Sequence, residues 1–421
     1  MSSDHPLFLE VADRIGRTLC RDAVWDGKRC NWLGWSMEVV QHKTVSAYRS
    51  MGADVYCGTS GIALFLAELH QFTADRQQLL ALDGALNQAL SVLDLIDGVK
   101  RCGFYTGQAG IAHVLIRIGH LLERESLIER GLSIMATLRE VPADAQYIDV
   151  LGGSAGLIPL LLLLAQKYNR PDLIDMARTH GEHLLKLAIE SEHGYSWKTV
   201  QMAIRQNLTG HSHGVAGIVT ALLELHHVTG EQRFLQAAMQ GLRYETSLFN
   251  TSLGNWPDFR VMSSAQAEPG QNYSLAWCHG APGIGLARLR NVELQSDNDA
   301  LLRDLDAAIN TTSRILSQTW VPGTGTYSLC HGASGNAELL ILAGQRRNRP
   351  ELTRLAEKVG HDGYRFYVQQ GLPWPCGVPN AGETPNLMLG TAGIGHFYLR
   401  LHDPLAVPSI LLITPDNDQV E

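Results

Sequence analysis

The sequence predicts an all-α fold, an α/α toroid of seven helix-pair repeats, and two observations lead there. The first is a cassette, Gly-x-x-Gly followed by an apolar helix. It occurs seven times, starting at Gly58, Gly107, Gly153, Gly214, Gly280, Gly332 and Gly390. Successive cassettes lie roughly 45–65 residues apart, the period of repeats built from helix pairs. The second is a further helical pattern between cassettes, as at 77–95, 171–190 and 298–316. Inner and outer helices that alternate and close on themselves make a double-layered ring. A repeat of this size cannot bury its apolar face alone, so all seven are expected to form one body. An open solenoid is the competing architecture, but solenoids end in polar capping repeats, and the last repeat here is as apolar as the others.

Taken in order, residues 1–50 precede the first cassette and carry Trp25, Trp32 and Trp35. They are expected to form an N-terminal helical extension to a toroid over 51–421. In the first cassette Ile62, Phe65, Leu66 and Leu69 stand at i, i+3, i+4 and i+7, one face of a helix. The third cassette is apolar at nearly every position over 157–164, which predicts a helix buried on all sides. Pro171 suits the first position of the next helix, where its missing N–H costs nothing. The helical stripe returns at Ile218, Ala221, Leu222 and Leu225 and again at Ile394, Phe397, Tyr398 and Leu401. Two segments interrupt the rhythm: an insertion at 243–275 that includes NWPDFR (255–260), and a Pro/Gly-rich loop at 371–387. Long loops on one rim of a ring commonly build its binding face. The chain closes with an apolar stretch, PSILLI at 408–413, and an acidic end.

Composition narrows the function classes. Apolar residues make up 45% of the chain, enough for a large core, and charged residues only 18%. The net charge of −8 and the absence of a Lys/Arg cluster argue against nucleic acid as a partner. The longest apolar run, 157–165, is too short to span a membrane, and the first ten residues lack the apolar core of a signal peptide. Seven cysteines without the dense spacing of a disulfide scaffold suit a cytoplasmic location with reduced thiols.

The reactive residues sit just ahead of the cassette glycines. The two preceding positions read Cys278-His279 in the fifth repeat, Cys330-His331 in the sixth and Ser212-His213 in the fourth. Equivalent positions of a closed ring share one rim, so these side chains are expected to converge. Catalytic zinc is held by three Cys, His or carboxylate ligands with a fourth position open, and Cys278, Cys330 and His331 meet that need. The competing reading makes both cysteines small buried apolar residues. His279 is a candidate fourth ligand, proton carrier or polar lining residue. His213, with no thiol beside it, suits general acid/base work. Asp149, four residues before Gly153, is placed to orient such a histidine from the adjacent repeat, or else to serve its own turn, as Asp54 would in the first repeat.

With its seven cassettes, WCHG (277–280) and LCHGASGN (329–336), the chain resembles the lanthionine synthetase cyclase (LanC-like) family from about Asp54 onward. It is most similar to the cyclase half of class II lanthipeptide synthetases, by NWPDFR and LMLGTAGIGHFYLRL as well. The resemblance implies a zinc-containing α/α toroid with Cys278, Cys330 and His331 as ligands, His213 as acid/base and Asp149 as its aspartate. It also implies the reaction: a cysteine thiol of a dehydrated precursor peptide adds to dehydroalanine or dehydrobutyrine, giving lanthionine or methyllanthionine rings. The chain has no room for the dehydratase half, so a separate dehydratase is expected to act before it. Two positions depart from stand-alone family members, which often have Tyr at 279 and Arg at 274, where this chain has His279 and Ser274. Two other readings compete: a zinc thiol-alkylating enzyme of the prenyltransferase type, and a non-catalytic zinc scaffold that binds thiols or peptides.

Overall fold

The computed structural model describes residues 5–40, 43–201, 204, 206–260, 272–318 and 321–415. The expected insertion at 243–275 and acidic end therefore lie partly outside the described residues. Each cassette begins an inner helix: α2 (Thr59–Thr73), α4 (Gln108–Leu121), α6 (Ser154–Tyr168), α8 (Val215–Thr229), α10 (Ala281–Leu294), α12 (Ala333–Arg346) and α14 (Thr391–His402). The intervals supply outer helices α3 (Arg76–Ser91), α5 (Glu125–Leu138), α7 (Pro171–Lys186), α9 (Gln232–Ser247), α11 (Asp299–Ser317) and α13 (Pro350–Gly363). Each outer helix packs on the inner helix before it, and α14 packs on α2, which closes an α/α toroid.

Among the described residues the N-terminal segment is helical over α1 (His5–Asp22) alone, and α1 packs on α14 as its outer partner. Residues beyond it form two antiparallel hairpins, β1 (Val24–Asp26) with β2 (Arg29–Asn31) and β3 (Leu33–Val40) with β4 (Lys43–Ser50). The β-branched and aromatic residues that alternate with polar ones in Trp35–Tyr48 favour strand over helix. A third hairpin, β5 (Ile189–Ser191) with β6 (Gly194–Ser196), follows α7.

The glycines act by close approach more than by backbone freedom. A Cβ at the second glycine of every cassette would lie 1.7–2.3 Å from the carbonyl oxygen six residues earlier, as at Gly283 against Trp277. In six cassettes the first helical N–H donates to a carbonyl seven residues earlier, for example Ser154 to Tyr147 and Ala333 to Thr326. The tight turn thus satisfies donors that a helix start would otherwise leave orphaned, and no capping side chain is needed there. The fifth cassette is the exception. Gly280 has φ +84°, and Asn255 Oδ1 from the 255–260 loop accepts from Ala281 N at 2.8 Å instead.

The turns are also joined to one another. The N–H of the residue two before each first glycine donates to the carbonyl of its counterpart in the next turn. The chain of donors runs Tyr56, Tyr105, Leu151, Ser212, Cys278, Cys330 and Met388, then back to Tyr56, at 2.9–3.4 Å. This circle of backbone bonds fixes the rim on which the reactive residues stand.

Inside the ring lies the apolar C-terminal stretch. Ile410, Leu411 and Leu412 are buried, their carbonyls accepting from Tyr105 Oη (to Ile410, 2.7 Å) and Trp277 Nε1 (to Leu411, 2.9 Å). It shares small crevices with Leu64 of α2, His113 of α4, Pro159 of α6, Thr220 of α8 and His396 of α14. With α7 outside and the tail inside, α6 is buried over 154–165. Lower in the ring, neighbouring inner helices are joined by buried ion pairs: Glu68–Arg117, Glu224–Arg290 and Glu338–Arg400. No helix among the described residues is long and apolar enough to cross a membrane.

Candidate active site

The turn circle brings the sequence-predicted residues together. Cys278 and Cys330 occupy consecutive links, the Cys278 N–H donating to the Cys330 carbonyl at 3.4 Å, and the neighbouring Cys330 thiol together with burial pushes the Cys278 thiol well up. Cys330 Sγ also accepts from Tyr56 Oη at 2.8 Å. Accepting hydrogen bonds from Cys278 and then Tyr56 holds the Cys330 thiol below its ordinary value, against the opposing effect of burial. The two thiols are thus shifted in opposite directions, Cys278 up and Cys330 down.

His331 stands beside this pair, close enough for its charge to act on Cys278. Its Nε2 bonds the carbonyl of Gly377 at 2.8 Å, so that carbonyl in the 371–387 loop orients the ring. Among the described residues Nδ1 has no hydrogen-bond partner. A backbone carbonyl on the far nitrogen is the usual support of a metal-ligating histidine. Among the described residues no three or more His, Cys, Asp or Glu side chains stand already drawn together around a metal position. The donor set nonetheless fits zinc: two thiols on adjacent links, one of them accepting from the Tyr56 hydroxyl, and an imidazole with one nitrogen anchored.

Across the rim, Asp149 Oδ2 meets His213 Nδ1 at 2.7 Å. A carboxylate only accepts, so Nδ1 carries the hydrogen and Nε2 is the working nitrogen. Asp149 Oδ1 also accepts from Gly152 N at 2.9 Å, so the residue serves its own turn and the histidine of the next at once. His213 is partly exposed, and its ring lies 5.8 Å from that of His279, at 30°. His279 is buried, and neither ring nitrogen has a hydrogen-bond partner among the described residues; Asp258 Oδ1 is 4.0 Å away. Burial, and after it the charge of Arg260, hold His279 well below the ordinary histidine value.

Two groups at the site had not been expected from the sequence. Tyr56 occupies the same register as Cys278 and Cys330, two before its cassette glycine, and that register was the signal that could have found it. Asp258 and Arg260 come from NWPDFR, whose loop caps the fifth inner helix. Nothing in their spacing from Cys278 announces that contact.

The fold and this site define a toroid with a thiol pair, a buttressed imidazole and a carboxylate–histidine pair on one rim. The family model for lanthionine synthetase C-like proteins matches residues 49–412, and the chain belongs to that family. Over 383 residues it is 24% identical to the lacticin 481/lactococcin biosynthesis protein LcnDR2 of Lactococcus lactis subsp. lactis, covering 88% of this chain and 38% of that one. The chain thus spans about two fifths of the length of that relative. It is 26% identical over 346 residues to the nisin biosynthesis protein NisC of the same organism, covering 75% of this chain and 79% of that protein. Among solved structures, nisin cyclase superimposes with a TM-score of 0.63 at 20% identity, over 84% of this chain and 89% of that one. That likeness is one of fold.

Proposed function

We propose that this chain is a zinc-dependent lanthionine cyclase that adds peptide cysteine thiols to dehydroalanine or dehydrobutyrine in the same peptide. Its relatives LcnDR2 and NisC carry the names of lacticin 481/lactococcin and nisin biosynthesis proteins. The observation that carries the reading is the joint placement of the Cys278–Cys330 pair and the Asp149–His213 pair on one rim.

Cys278, Cys330 and His331 would hold the metal, each already positioned by a rim backbone bond or the Gly377 carbonyl. A zinc ion bound there supplies Lewis acidity that keeps a substrate cysteine deprotonated at neutral pH, where a free thiol is mostly protonated. Tyr56 steadies the Cys330 sulfur and draws off part of its charge. His213, held by Asp149 with Nδ1–H inward, presents Nε2 to the reacting peptide and delivers a proton to the α-carbon once the C–S bond has formed. His279 lies beside it, buried and held well below the ordinary histidine value. The dehydroamino acids would come from a dehydratase acting on the precursor first, and a cytoplasmic setting would keep the thiols reduced.

The test is mass spectrometry on two forms of a candidate precursor. The dehydrated peptide should lose its free thiols, counted by alkylation, with no change of mass. The unmodified peptide should stay unchanged with ATP and magnesium present. Thiols that persist in the cognate dehydrated peptide would replace this reading with that of a zinc scaffold.

A further inference from the structure

The fifth cassette departs from the others, and the departure brings in charge. Where six turns bond their own helix start, this one is capped by Asn255, whose Nδ2 also donates to the carbonyl of Ser274 at 3.1 Å. Three residues on, Asp258 is buried and gathers donors: Ser274 Oγ at 2.9 Å, Arg260 N at 3.1 Å, Arg260 Nε at 3.0 Å and Arg260 Nη2 at 2.7 Å. The backbone at Arg260 is fastened a second time, by a bridge to Ile204. One edge of the guanidinium is thus clamped by a fixed carboxylate. Among the described residues Nη1 has no protein partner, and the side chain keeps 23% of its exposure. Its charge acts on both Cys278 and Cys330, and Asp258 lies 4.0 Å from His279.

We propose that Arg260 is a catalytic residue of the cyclisation, its free Nη1 edge binding the carbonyl oxygen of the dehydroamino acid that receives the thiol. This rests on the cyclase reading. As the substrate sulfur bonds to the β-carbon, the pair of electrons of the C=C bond moves toward the neighbouring carbonyl, whose oxygen becomes an enolate oxygen. The proton lost by the thiol is matched by the one delivered to the α-carbon, so no further reactant is needed. A positive donor held in place beforehand stabilises the charge where it develops and needs no reorganisation when the bond forms. Asp258 and Ser274 are positioning residues for it: they fix the plane of the guanidinium and leave its other edge for the peptide.

The experiment compares wild type, Arg260→Gln and Arg260→Lys on a dehydrated precursor, with kcat and KM measured separately and zinc content and melting temperature in parallel. Wild type must cyclise; if it does not, the cyclase reading has failed, not this one. With wild type active, Arg260→Gln should lower kcat by roughly 10²–10³-fold, the cost of removing one oxyanion donor, with KM within about threefold. Arg260→Lys, which keeps the charge without the fork, should recover about tenfold of that loss. Wild-type kcat in the Gln variant overturns the proposal. So does a loss that tracks zinc content and is not recovered by Lys, for Arg260 would then act on the thiols alone. Should the Gln variant not fold, the Lys variant decides by itself: a kcat equal to wild type refutes the assignment.

Discussion

The Cys330 sulfur is held in place at the rim by its neighbour Tyr56. It accepts from Tyr56 Oη, while the Cys330 N–H donates to the Met388 carbonyl and the Cys330 carbonyl accepts from the Cys278 N–H. Removing that sulfur removes a ligand without disturbing the backbone circle. Cys330→Ala should therefore fold and lose most of its zinc, whereas the purified wild type should carry close to one equivalent. Full zinc in the variant, by metal analysis, would rule out the assigned ligands. His213 is tied differently, to a carboxylate and not to a thiol. His213→Asn should keep both zinc and fold and slow cyclisation by roughly 10²–10⁴-fold, the range for a general acid/base group. Zinc lost from that variant would make His213 a ligand, and an unchanged rate would remove it from the proton path.

At the scale of elements, the cassette works as one unit of turn and helix start. The second glycine lets the helix begin against the carbonyl six residues back, and the helix N–H groups find partners within the turn. Gly283 is the informative one to test, because Trp277, whose carbonyl it approaches, also anchors the C-terminal tail through Leu411. A Cβ there would stand 1.8 Å from the Trp277 oxygen, in a buried turn that lacks room to yield. Gly283→Ala should destabilise by about 3 kcal/mol, the upper part of the range for forced overpacking. Because the Trp277–Cys278 turn must shift, zinc should fall with it. An unchanged melting temperature would show that this turn is looser than its geometry implies.

The molecule as a whole buries several histidines in neutral form. Burial lowers His180 and His211 from 6.5 to about 4 and His396 to about 3. Below pH 6.5 the unfolded chain takes up protons at these sites that the folded chain refuses until about pH 4 or lower. Their contribution to stability is therefore complete above pH 6.5 and is lost as the pH falls from 6.5 toward 4. The urea midpoint should be lower at pH 5.0 than at pH 7.5, and His180→Gln should show a smaller drop between the two. Equal midpoints for the wild type would contradict neutral burial.

The repeat is written in the sequence. Seven glycine pairs at matched spacing, each followed by an apolar helix, are a local requirement of chain packing and so are written locally. Positions just ahead of the glycines named Cys278, Cys330, His331, His213 and His279, and a position four before Gly153 named Asp149, because equivalent turns of a ring fall on one rim. The sequence held the sign of Tyr56 as well, at the position of the cysteines but in the first turn, which touches the sixth only because the circle closes. Residues 1–50 read as helical, but strands follow α1, and the place of α1 as outer partner of α14 left no local sign, since the two are nearly the whole chain apart. It took the folded ring to show that the tail fills it and that the Asp258–Arg260 pair comes to lie beside His279. Periodicity reports what each repeat has in common. A loop that breaks one repeat, or a terminus that completes another, acts through contacts across the ring and leaves no period to read.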